Sequence, residues 1–174
     1  QSILPEIGPE GQDKLRAAKV LVIGAGGLGC PALQYLAGAG VGTIGIVDHD
    51  TVDITNIHRQ TLYRTDDDGQ PKAAIAAKTI QALNPESSVV THATKLDADN
   101  GPDLIRKYDM ILDGTDNFAA KFLINDLCAK HDKPLIYGAV QRYEGQVAVF
   151  DAAKGPCYRC LHPNRPQAPI TNCA

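Results

Sequence analysis

The sequence predicts an α/β protein: a mostly parallel sheet with helices on both faces, antiparallel strands towards the C-terminus, and an irregular cysteine-containing tail. Three observations lead there. Short apolar, β-rich runs alternate with helical patterns, as strands joined by crossover helices require. The first run, Lys19-Val-Leu-Val-Ile23, is apolar without alternation after its opening lysine, the pattern of a strand covered on both faces. A glycine-rich turn, Gly24 to Gly29, stands between that strand and a helix.

The elements follow in order. Pro9 to Ala18 reads as a lead-in helix and Lys19 to Ile23 as the first strand. A helix begins at about Leu28. Pro31 falls in its first turn, where a missing N–H does no harm, and Leu28, Ala32 and Leu36 recur along one face. Gly38 to Gly42 breaks the chain before a second strand, Thr43 to Val47. Asp48 to Gln70 is polar and without periodicity, and so long a connection is usually functional. A helix starts at Pro71, with Ala73, Ala76, Ala77, Ile80 and Leu83 as its apolar stripe, and Asn84-Pro85 ends it. Ser88 to Thr94 is a strand and Gly101 to Tyr108 a short helix. Met110 to Leu112 is a short buried strand ending at Asp113-Gly-Thr-Asp116. Phe118 to His131 is a helix with Phe118/Phe122 and Leu123/Leu127 as spaced pairs. Pro134 to Val140 and Gly145 to Phe150 are strands joined by Gln141-Arg-Tyr-Glu144. The tail from Asp151 has four prolines, two close cysteines and no periodicity. No repeat or linker interrupts the chain, so residues 1–174 read as one domain.

Composition narrows the function. The 174 residues are enough to bury a core, and 17 Lys and Arg against 20 Asp and Glu give no basic excess for nucleic acid. No apolar run is long enough to cross a bilayer, and Gln1-Ser-Ile-Leu-Pro carries no secretory signal. Five cysteines are too few for a disulfide scaffold, and the odd number leaves one unpaired. A reducing, cytoplasmic setting is expected, with neither nucleic acid nor membrane as partner.

Gly24-Ala-Gly-Gly-Leu-Gly29 has the spacing G-x-G-x-x-G in strand–turn–helix context, the Rossmann-like arrangement for a nucleotide phosphate. Asp48 ends the second strand about 20 residues beyond Gly29, where a carboxylate accepts hydrogen bonds from ribose hydroxyls. Asp50 and Asp53 lie close by, as further ligands or as solvated acids. Lys72 stands at the positive end of a helix dipole, which is unfavourable unless an anion, or Asp66, Asp67 and Asp68, offsets it. Asn56 and Arg59, within Asn56-Ile-His-Arg-Gln60, suit ribose and phosphate, although a loop Arg is also an ordinary surface charge. Asp116 and Asn117 follow a buried strand, so Asp116 is either a Mg²⁺ ligand or a helix cap, or both. Two cations and a metal ligand exceed what a dehydrogenase's pyrophosphate needs; they suit a reaction in which charge builds on a departing pyrophosphate.

With these stretches together, and with Gly69-Gln-Pro-Lys72 and Pro156-Cys-Tyr-Arg-Cys160 beside them, the chain resembles the HesA/MoeB/ThiF group, bacterial relatives of the ubiquitin-activating enzymes. The likeness runs over nearly the whole chain. It implies an ATP-dependent adenylyltransferase whose protein substrate is a small ubiquitin-like sulfur carrier ending in Gly-Gly. The carrier's terminal Gly-Gly carboxylate attacks the α-phosphate, giving an acyl-adenylate and pyrophosphate, and a sulfurtransferase or cysteine desulfurase later supplies sulfur for a thiocarboxylate. Molybdopterin, thiamine and related routes use such enzymes. The resemblance places ATP against Gly27, with Asp48 on the ribose; Gly24, Gly26, Gly29 and Asp50 join them as candidate nucleotide-binding residues. The resemblance also has Thr55, Asn56, Arg59 and Lys72 contact the nucleotide, and Asp116 hold Mg²⁺ with Asn117 beside it. Arg59, Lys72 and Asp116 become the catalytic set. Family members are longer, and their remaining part carries a second Cys-x-x-Cys that completes a structural zinc site with Cys157 and Cys160. An arginine placed before Gln1 reaches the partner subunit's ATP site in such enzymes, which implies a homodimer. The shortened sheet leaves an apolar edge that dimerisation covers or that promotes aggregation.

Within this chain, Cys173 or His162 are the remaining candidates to complete the zinc set. A redox dithiol is the other reading of Cys157 and Cys160, but such motifs open a helix and Pro156 argues against one. Cys173 aligns with a cysteine that joins the carrier through sulfur in some relatives; otherwise it is an ordinary thiol. Cys30 and Cys128 fall in helical patterns and read as core residues. A nicotinamide-dependent oxidoreductase on the same fold and a non-catalytic carrier-binding scaffold are the alternative functions.

Overall fold

The computed structural model describes residues 1–164. Six strands form one sheet: β1 (Lys19–Ile23), β2 (Thr43–Val47), β3 (Ser88–His92), β4 (Met110–Asp113), β5 (Leu135–Gln141) and β6 (Glu144–Phe150). Their order is β3-β2-β1-β4-β5-β6; every pairing is parallel except the last, the β5–β6 hairpin. Among the described residues six α-helices accompany them: α1 (Gly8–Ala17), α2 (Gly29–Ala39), α3 (Lys72–Leu83), α4 (Gly101–Arg106), α5 (Phe118–Lys130) and α6 (Tyr158–Leu161).

The unbroken apolar run of β1 is explained by two cores. Val20 and Val22 point to one face, where they pack with Ile44, Ile46, Leu33 of α2 and Ile80 of α3. Leu21 and Ile23 point to the other, with Ile111, Ile105 of α4, and Ile124 and Leu127 of α5. Each fully buried Leu or Ile contributes about 1.5–3 kcal/mol. Helices therefore cover both faces, and the strand carboxyl ends with the helix N-termini of α2, α3 and α5 meet at one rim.

Three local expectations are corrected. The buried stripe of α2 is Cys30, Leu33 and Ala37, whereas Leu28, Ala32 and Leu36 are half-buried. Gly29 sets this rotation: a Cβ there would come within 1.9 Å of the Gly24 carbonyl oxygen, so the helix presses its glycine onto the preceding turn. In α3, Ile75 is buried while Leu83, in the last turn, is 57% exposed. The tail is not wholly irregular, because Cys157 opens the short helix α6 despite Pro156. Tertiary contacts create that turn: Asn125 on α5 accepts the free Tyr158 N–H at 2.8 Å, and the Tyr158 ring is buried among Phe122, Tyr137 and Phe150. No helix among the described residues is long and apolar enough to cross a membrane.

Candidate functional site

From β1 the chain runs outward to β2 and β3, then returns to β4 on the other side of β1. The crevice at this reversal is where open α/β sheets take ligands. Its floor is the glycine turn. Gly24 has φ +91°, and a Cβ there would stand 2.9 Å from the Gly114 carbonyl oxygen, so the turns after β1 and β4 touch backbone to backbone. The Ala25 peptide is clamped at both ends. Its N–H donates to Asp48 Oδ2 at 2.7 Å, and its carbonyl accepts the Tyr63 hydroxyl at 2.6 Å and the Cys30 thiol at 3.3 Å. Among the described residues, the next N–H groups, those of Gly26, Gly27 and Leu28, have no acceptor. Leu28 is the N-cap of α2 and Gly26 and Gly27 form the turn before it, so the turn and the helix N-terminus together offer unsatisfied donors at the rim.

The acids and cations gather on this floor. Asp48 is 9% exposed, and its second oxygen accepts the Asp50 N–H at 2.8 Å. Lys72 is 6% exposed, with its Nζ 3.4 Å from Asp50 Oδ2 and its backbone N–H on the Asp50 carbonyl at 2.9 Å. Asp50 is therefore the neighbouring acid, in place of Asp66, Asp67 and Asp68. The stem of Arg59 lies across Gly27, 3.5 Å from where its Cβ would be. The polar connection that carries it is ordered by short turns. Asn56 accepts the Arg59 N–H through its carbonyl at 3.1 Å. Asp53 receives both the amide and the hydroxyl of Thr55, at 2.8 and 2.7 Å. The Thr55 hydroxyl and amide hold the Asp53 carboxyl below the usual carboxylate range. Across the crevice Asn117 caps α5, accepting the Ala120 N–H at 2.9 Å. Asp116 is exposed and makes no hydrogen bond among the described residues. The cap thus belongs to Asn117, and the Asp116 carboxylate is left at the rim.

Two further groups, to which the sequence reading assigned no role, shape the rim. Asp113, 1% exposed at the end of β4, accepts the Thr115 amide and hydroxyl at 2.8 and 2.6 Å and pairs with Lys121 Nζ at 3.0 Å. Lys121, buried in α5, also donates to the Gly138 carbonyl at 2.8 Å, so one ammonium ties β4, α5 and β5 together. Tyr63 is the second. Its phenol, pushed far above its ordinary range by burial, stays a donor to the glycine turn.

A family model described as "ThiF family" matches residues 1–174. The chain belongs to the ThiF family. It is 48% identical over 180 residues to a sulfur carrier protein adenylyltransferase of Thermus thermophilus, covering 100% of this chain and 66% of that one. It is 50% identical over 174 residues to the adenylyltransferase and sulfurtransferase MOCS3 of Culex quinquefasciatus, covering 99% of this chain and 40% of the other. Among solved structures, E. coli MccB with ATP superposes with a TM-score of 0.79 at 29% identity, over 87% of this chain and 46% of that one. This ThiF-family chain therefore spans between two-fifths and two-thirds of the length of these curated relatives.

The cysteine turn of this ThiF-family chain lies away from the crevice. Cys157 and Cys160 hold their sulfurs 3.8 Å apart. Two ligands at tetrahedral corners, each about 2.3 Å from a zinc ion, stand about that far apart, so the pair fits half a zinc site. Burial raises the Cys157 thiol, but the Cys160 and Arg159 amides outweigh it and the pKa falls below the ordinary value. Among the described residues no third His, Cys, Asp or Glu group gathers with them; the His162 ring lies tilted against Tyr158 instead, and Cys173 lies outside those residues. Cys30 and Cys128 are buried, and burial pushes the Cys128 thiol up to about 12.

Proposed function

We propose that this protein uses ATP to adenylylate the C-terminal Gly-Gly carboxylate of a small ubiquitin-like sulfur carrier, releasing pyrophosphate ahead of thiocarboxylate formation. One observation carries the reading: unfilled N–H groups of a glycine turn, with Arg59 and Lys72 on one side and Asp116 on the other. The names of the relatives supply the substrate class.

In this reading the phosphates rest on Gly24, Gly26, Gly27 and Gly29, and Asp48 and Asp50 stand towards the ribose. Thr55, Asn56 and Asn117 are further nucleotide contacts. The carrier carboxylate is already ionised at neutral pH, so no general base is needed. It attacks the α-phosphate, and the bond to the pyrophosphate oxygen breaks. Arg59 and Lys72 stabilise the charge that grows on the departing group. An exposed carboxylate without a partner among the described residues fits Mg²⁺, which takes one or two carboxylates together with substrate phosphates; Asp116 would hold it. When bound, the ion neutralises phosphate charge. Cys157 and Cys160 would hold a structural zinc with ligands from elsewhere in the protein. The assembly is a homodimer, and a sulfurtransferase or cysteine desulfurase is the sulfur donor.

The test is pyrophosphate exchange into ATP, dependent on a carrier with a free Gly-Gly end. Arg59→Ala and Asp116→Ala are each expected to abolish exchange while the far-ultraviolet circular dichroism stays unchanged. Undiminished exchange in either variant removes that residue from the mechanism, and tight NADH binding without ATP binding would overturn the reading itself.

A further inference from the structure

Gln60 is 4% exposed, yet its side-chain oxygen has no hydrogen-bond partner among the described residues. Its backbone is fixed at both ends, the N–H on the Asn56 carbonyl at 3.0 Å and the carbonyl under the Tyr63 N–H at 3.3 Å. The side chain is thereby held beside the glycine turn. Its amide nitrogen is the atom nearest to where a Cβ on Gly26 would stand, at 3.7 Å. The preceding residue, Arg59, covers Gly27 in the same way. An amide buried with one end unmet is unfavourable, and an apolar side chain of similar shape is tolerated there at least as well. The nitrogen end is what distinguishes glutamine from such a residue, and that end meets the crevice.

We propose that Gln60 is a nucleotide-binding residue, donating from Nε2 to a phosphate oxygen seated over Gly26 beside the N–H groups of Gly26, Gly27 and Leu28. The inference rests on the ATP reading above and adds a residue and a role to it. Arg59 and Lys72 supply charge at this rim; Gln60 supplies a neutral donor whose direction is set by its burial. The reverse amide orientation would set lone pairs against an anion, so the unmet oxygen belongs on the far side. A charge-assisted hydrogen bond at the nitrogen offsets that oxygen only when the nucleotide is present.

The experiment measures thermal unfolding of the protein without ligand and ATP affinity by calorimetry with Mg²⁺, for wild type, Gln60→Met and Gln60→Glu. Gln60→Met is expected to melt at or above the wild-type temperature and to bind ATP about tenfold more weakly. Gln60→Glu, with a second anion beside the phosphate, is expected to bind more weakly still. Wild-type affinity in Gln60→Met overturns the assignment and leaves the ATP reading standing. A lower melting temperature in Gln60→Met makes the residue a packing element and also overturns it. Failure of the wild type to bind ATP removes the reading on which the proposal rests, and the proposal with it.

Discussion

At the scale of single residues, the decisive groups are those whose partners lie far away in sequence. Lys121 is 5% exposed and holds Asp113 and the Gly138 carbonyl at once. Removing one member of a buried ion pair leaves an uncompensated charge, so Lys121→Ala should cost about 3–5 kcal/mol in denaturant unfolding. Lys121→Arg, which keeps the charge and the donors, should cost clearly less; equal losses would show that packing alone matters there. Tyr63→Phe deletes only the hydroxyl on the Ala25 carbonyl, a loss of about 0.5–1.5 kcal/mol in stability. Because that bond orients the glycine turn, the ATP affinity of Tyr63→Phe should fall as well. A stability loss with unchanged ATP affinity would make Tyr63 a core residue and nothing more. The contrast with Arg59 and Lys72 shows what a sequence conveys. Those two sit within short motifs that point to an anion only when taken together with the glycine turn and Asp116. Tyr63 meets its partner across 38 positions, and Asp113 and Lys121 across eight with a helix start between them, so only the folded chain reveals either bond.

At the scale of elements, strand and helix kinds were legible because buried parallel strands and amphipathic helices write different periods. Rotation and ends were less so, since they are set by contacts such as Gly29 on Gly24. The helix α6 is the extreme case: four residues after a proline, formed because α5 offers Asn125 and Asp126 as anchors. Arg159 meets Asp126 through two nitrogens at 2.5 and 2.6 Å, and these bonds hold the Asp126 carboxyl below the usual range. A carboxyl with a depressed folded-state pKa stabilises above its unfolded value, about 3.9, and loses that contribution as pH falls through the folded value. Asp126→Asn should therefore be slightly less stable than wild type at neutral pH, and the difference should vanish in acid. Urea unfolding of both proteins between neutral pH and acid checks this, and a gap that persists in acid would mean that the ion pair is not its source. Since the same contacts fix the Cys157–Cys160 turn, the zinc proposed for that turn should be held less tightly by Asp126→Asn.

At the scale of the whole molecule, the sheet is unequally covered. The face of β1 and β2 that packs under α2 and α3 continues through Leu112 of β4 to Ile136 of β5 and Val149 of β6, which stand opposite one another in register. There the cover ends: Val147 and Val149 are 84% and 66% exposed, and Val140 is 46% exposed. Phe150 and Ala148, on the other face of the same strand, pack into the core. Among the described residues β6 is also the sheet's outer strand, so its unpaired backbone edge and its apolar face lie together there. Such a surface is self-complementary under a two-fold axis, because an antiparallel edge pairs with its own copy. The homodimer proposed above is expected to close over it. Sedimentation velocity should show the wild type passing from monomer to dimer as concentration rises, while Val147→Lys/Val149→Lys stays monomeric. Two exposed valines buried at such an interface contribute about 3 kcal/mol or more, so the double variant should weaken association about a hundredfold or further. Neither side chain packs into the monomer's core, so its unfolding midpoint should stay near that of wild-type monomer. A wild type that is monomeric at every soluble concentration, or a double variant that dimerises as well as wild type, would separate this face from the assembly and leave the crevice between β1 and β4 to act within a single chain.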